Sequence, residues 1–153
     1  MDLGCLREAV AAAVHDAAGW DGLNVHPYPP ADVRLPAMLV FDRPGDNGLA
    51  VDTATYGLAS VHLTVRLVVP AASTESAARV LDRIRSEFDR DAFASSPAVA
   101  SVASSCLVRG WTDTAATSLA TALTPIVGAV ATGVDVPVLV SDMHLSALVK
   151  ETI

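Results

Sequence analysis

The residues of this chain best suited to chemistry are four histidines, two cysteines and a set of loop aspartates, and their spacing limits what they can do. His15 stands beside Asp16 in a helical pattern, His26 precedes a proline, and His62 and His144 fall on the polar sides of two alternating segments. A metal site written into local sequence needs ligands on one face, as in HExxH, HxH or CxxC, and none of these spacings occurs. His62 and His144 are placed to meet across neighbouring strands and hold a metal, with a pair of surface histidines as the simpler reading. Cys5 and Cys106 are isolated, without zinc or disulfide spacing, and read as two thiols in a reducing compartment.

Other chemistries fail on the same test. "SSC" at 104–106 has neither the glycines of a nucleophile elbow nor a placed base. No GxGxxG or GxxxxGK[ST] is present, and "GDNG" at 45–48 is a turn signal with no helix behind it. Asp42, Asp46 and Asp52 offer carboxylates, but not at the spacing of a calcium-binding loop, so a solvated loop is expected. Arg79, Arg83, Arg85 and Arg90 gather on one segment, where Asp82, Glu87 and Asp89 cancel most of the field a nucleic acid would feel. No catalytic residue, metal ligand or cofactor site is assigned, and an enzyme is not expected.

Composition frames the same conclusion. The 153 residues suffice for one domain with a real core. Half the chain (52%) is apolar and 18% is charged, and mean hydropathy is +0.44, high for a monomer surrounded by water. Seventeen acids oppose ten bases, a net charge of -7, which argues against a phosphate-binding face and suits a wall past which DNA slides. Between Asp113 and Asp135 lie 21 residues without a charge. The many Thr, Gly and Pro there, and the missing Lys/Arg flanks, argue against a membrane span. The opening "MDLGCLREAV" shows no basic or apolar leader, so no secretory signal is expected.

The elements follow from periodicity. Leu3, Leu6, Val10, Val14 and Ala17 predict a helix over about 2–18, capped by Asp2 and ended by Gly19. A short strand, a proline crossing (Pro27, Pro29, Pro30) and a second strand at about 37–41 come next, the first stopping at the prolines or lying at an edge. Residues 42–57 are rich in Gly and Asp and predict a protruding loop. In "SVHLTVRLVV", Val61, Leu63, Val65, Leu67 and Val69 alternate with His62, Thr64 and Arg66, the mark of a half-covered strand.

Ala77, Val80, Leu81, Ile84 and Phe88 predict a second helix over about 73–90, with Arg79–Asp82 and Arg83–Glu87 pairs on its wet side. "SSCLVRGW" reads as a further strand. The uncharged stretch splits at "TGVDVP" into two β arms, about 119–131 and the alternating 136–150. The expected fold is α+β: one domain over 1–153, a mostly antiparallel sheet, and two amphipathic helices on one face.

This order, through "LNVHPYPPADVRLPAMLVF", "SVHLTVRLVVPAASTESAARVLDRIRSEF" and "DVPVLVSDMHLSALVK", with the strand–"VPAAS"–helix join at 67–81 and the proline crossing at 27–36 as its most specific pieces, resembles the tail terminator proteins of siphophages, particularly small ones from actinobacterial phages. The resemblance covers nearly the whole chain. It implies a structural virion protein of the tail or neck, assembled in the host cytoplasm. As a homo-oligomeric ring, of hexameric form in that family, it would cap the tail tube and stop its elongation. Its implied partners are the tail tube protein and the head–tail connector proteins; DNA only passes through the lumen, and no membrane or cofactor is involved. The loop at 42–57 would then touch tube or neighbour, with Asp42, Asp46, Asp52 and Tyr56 as contact or rim candidates. Another connector or tail completion protein is the alternative within the same machine. A small ligand-binding or enzymatic α+β domain is the alternative outside it.

Overall fold

Two strands with strict period-2 alternation organise the molecule. The computed structural model describes residues 3–19, 23–28, 34–42, 51–53, 58–71, 74–127 and 136–150. In chain order these form α1 (Leu3–Ala18), β1 (Asn24–His26), β2 (Ala37–Asp42), β3 (Val51–Thr53), β4 (Leu58–Pro70), α2 (Thr74–Glu87), α3 (Arg90–Ala94), α4 (Pro97–Ala100), β5 (Ser105–Trp111), β6 (Ala115–Ser118), α5 (Leu119–Val127) and β7 (Pro137–Lys150). All seven strands join one sheet, ordered β1-β2-β4-β7-β5, with β3 also on β4 and β6 also on β7. The fold is α+β.

Strands β4 and β7 pair antiparallel along their length, from Leu58↔Lys150 to Pro70↔Val138. Shorter strands line the outer edge of each. On β4, β2 occupies 63–68 and β3 occupies 59–61. On β7, β5 occupies 143–148 and β6 occupies 137–140. Strand β1 lies at the far edge, parallel to β2. Arg7 on α1 ties that corner down, donating to the Pro27 and Val40 carbonyls at 2.9 and 2.8 Å and lying over the Tyr28 ring.

Alternation makes one face of the sheet apolar. Val61, Leu63, Val65, Leu67 and Val69 of β4 and Leu139, Met143, Leu145, Ala147 and Val149 of β7 are all buried there. Helix α1 covers them with Leu6, Val10, Val14 and Ala17, and ends where Gly19 takes a left-handed φ of +61°. Helix α2 adds Ala77, Leu81 and Ile84, while Phe93 of α3 and Val99 of α4 close the side toward β5. Phe88 meets Phe93 and stands edge-on to Trp111, at centroid distances of 5.9 and 6.0 Å, which locks the end of α2 to the end of β5. Both expected helices therefore lie on one face.

Four expectations need correction. The 42–57 loop is interrupted, because 51–53 form β3 against β4. Arg79 pairs with Glu75, one helical turn back, and Asp82 faces Arg85, whereas Arg83–Glu87 forms as expected. Residues 90–94 and 97–100, where no element was expected, are helical. The last correction is the largest: the arm expected at 119–131 is helix α5 over 119–127, and the strand pairing with the start of β7 is β6.

Burial explains α5. Ser118 Oγ accepts from the Thr121 amide at 3.1 Å, which starts a helical turn. Leu119, Ala122 and Leu123, at helical spacing, then settle on Leu39, Val68 and Val138 on the second face of the sheet. Thr121, Thr124 and Pro125 all disfavour a helix, so tertiary burial and not local propensity places α5 here. Among the described residues no helix is long and apolar enough to cross a membrane.

Cys106 sits on the buried face, and desolvation pushes its thiol up to about 12, while Cys5 is exposed on α1. The unfolded chain releases the Cys106 proton from near its ordinary 9.0, so between those values the folded state holds more protons and stability falls as pH rises. A thiol reagent at pH 8 is expected to modify Cys5 alone in the native protein and Cys106 only after denaturant; two equally fast native thiols would contradict this burial.

Candidate functional site

The second face of the sheet carries the polar side chains. One end lies under α5; the other is an open cleft of ≈ 390 Å³ lined by His62, Arg109, His144 and Ser146 with the backbone between them. The sheet register brings these residues together. Residues opposite each other across an antiparallel pair share a face, and the pairs here are His62↔Ser146, Thr64↔His144 and Arg66↔Asp142. His62 Nδ1 lies 3.1 Å from Ser146 Oγ, and His144 Nδ1 lies 3.5 Å from Thr64 Oγ1.

Arg66 and Asp142 form the strongest of the three. Nε and Nη2 of Arg66 meet the two carboxylate oxygens at 2.8 and 2.9 Å, a planar fork on a planar acceptor. The side chains are only 13% and 17% exposed. The remaining Nη1 donates to the Ala122 carbonyl at 2.8 Å and so fastens α5 to the sheet. Thr112 secures the neighbouring backbone: its amide donates to the Asp142 carbonyl, and its Oγ1 accepts from the Asp142 amide.

This arrangement ties the face together across β4 and β7. A serine nucleophile at Ser146 would need His62 as base and a carboxylate to orient the imidazole. Asp142, the carboxylate on that stretch of β7, is held by Arg66. No group of three or more His, Cys, Asp or Glu side chains among the described residues could hold a metal ion. His62 and His144 do lie together on one face, as expected, yet each ring's Nδ1 is hydrogen-bonded to the hydroxyl opposite it.

The contact-loop candidates separate. Asp42 ends β2 as the register partner of Leu63, and Asp52 lies in β3 opposite Ser60, so both backbones belong to the sheet. Asp46 and Tyr56 lie outside the described residues. Sequence reasoning placed Arg66 on a polar strand face but missed its pairing with Asp142, because 76 residues separate them. It also passed over Arg109 and Leu107. The available signal was the run "SCLVRGW", in which Leu107 and Arg109 stand two apart and so share one face of a strand.

No protein-family model matches the chain, and no curated protein matches it.

Removing one partner of a low-exposure ion pair leaves the other charge stranded. Arg66→Ala or Asp142→Ala is expected to cost about 3 kcal/mol in urea unfolding, and a paired Arg66→Met, Asp142→Leu chain to recover most of it. Equal, small losses in all three would show that the pair is solvated and does not fasten the face.

Proposed function

We propose that this chain is a structural virion subunit of the tail terminator kind, which forms a ring on the end of a siphophage tail tube and stops its growth. The observation that carries the reading is the element order: α1, then β1 and β2, then the long β4 running through Pro70 toward α2, and β7 as the last described element. That is the arrangement on which the resemblance rests. A stack of identical rings has an open end and keeps growing until that end is covered by a ring whose outer face does not propagate. Such capping needs shape and no chemistry.

Two features support the same reading. The polar face is occupied by cross-strand pairs such as Arg66–Asp142 and not by a convergent catalytic set. The net charge of -7 suits a ring through which DNA travels without sticking. Ring stoichiometry and the contacts with tube and connector proteins belong to the proposal.

Deletion of the gene from the phage that carries it tests the reading. Loss of a terminator is expected to give overlong tails. Tails of normal length that fail to join heads would instead make this chain a connector or completion protein.

A further inference from the structure

We propose that the patch formed by Leu107, Arg109, His144 and the outer edge of β5 is where a second copy of this chain seats, through the outer side of that copy's α1–α3 helix layer. The proposal deepens the ring reading and rests on it. Strand β5 ends the sheet order, so no described strand pairs with its outer side, and such an edge offers a ready row of backbone donors and acceptors. The register breaks between Val108 and Gly110, which makes Arg109 the extra residue of a bulge. Gly110 takes a φ of +155° there, and Arg109 is turned into the cleft beside His62 and His144. Leu107 sits opposite Ser146 on the same face and is 48% exposed, an apolar side chain beside a cation.

Charge identifies the occupant. Arg109 is exposed and makes no hydrogen bond or ion pair with another described residue. Asp142, the acid of β7 on that face, is neutralised by Arg66, and Asp113 lies past the end of β5. The opposite side of the molecule has the reverse balance. Arg79, Arg83 and Arg85 of α2 are matched by Glu75, Glu87 and Asp82, whereas Glu8 of α1 and Asp91 of the adjoining α3 are exposed without an ion-pair partner among the described residues and, with Asp89, outnumber the one exposed arginine there, Arg90. A cationic patch on one side of the sheet and an acidic surface on the other are unlike, so copies meet front to back. Contacts of that kind are heterologous, the class that builds rings when the rotation between copies closes.

Sedimentation velocity over a concentration series tests the patch, with circular dichroism to verify that each variant folds. Arg109→Glu and Leu107→Ser are each expected to weaken self-association about tenfold. Adding Glu8→Arg and Asp91→Arg to the Arg109→Glu chain is expected to restore it. Unchanged association in both single variants, or a wild-type chain that stays monomeric at every concentration, would overturn the patch. Tube capping is scored separately. Association through the patch with tube ends left open counts against the terminator reading alone. Capping that Arg109→Glu leaves unimpaired counts against the patch alone.

Discussion

The antiparallel pairing of β4 with β7 is the constraint on which everything else rests. Because side chains alternate along both strands, one register decides thirteen opposed pairs at once. In the observed register Val61, Leu63, Val65, Leu67 and Val69 of β4 and Leu139, Met143, Leu145, Ala147 and Val149 of β7 turn toward the helix-covered core, while Val68 and Val138 sit under α5. A slip by one residue would drive either His62 and Arg66 of β4 or Asp142 and His144 of β7 into that core. Arg66 and Asp142 guard against the slip, since a bidentate ion pair forms only when positions 66 and 142 are opposite each other. The same arginine holds α5 through the Ala122 carbonyl, so one side chain fixes both the register and the cover over the second face.

That asymmetry of faces gives the molecule a direction. The helix-covered side presents a solvated layer with matched ion pairs along α2, and the other side presents a partly covered sheet ending in the bulged β5. A subunit with two unlike sides suits a ring that meets a tube on one side and something different on the other. The apolar excess in the composition has two destinations here. Much of it is buried in the two core clusters of a single chain, and a smaller part, typified by Leu107, remains at the sheet edge.

Much of this fold was legible in the sequence, and the exceptions have physical causes. Strands β4 and β7 and helices α1 and α2 could be read because each buries one face against a continuous core, and burial on one face writes a period into the sequence. The two short helices α3 and α4 hold only Phe93 and Val99 in the core, too few residues to show a period. Helix α5 misled because Thr, Ile and Val favour strands locally, while the pocket formed by Leu39, Val68 and Val138 exists only after the sheet has formed. The face was legible as polar, but its pairings were not: His62 with Ser146 and Arg66 with Asp142 are distant in sequence and meet only through register.

The central claim is that this chain closes into a ring on the end of a tube. Negative-stain imaging of the purified protein mixed with tail tubes addresses it most directly. Six-fold rings with a central hole, seated on one end of each tube, are the expected result. Compact monomers beside tubes with two bare ends would contradict the account.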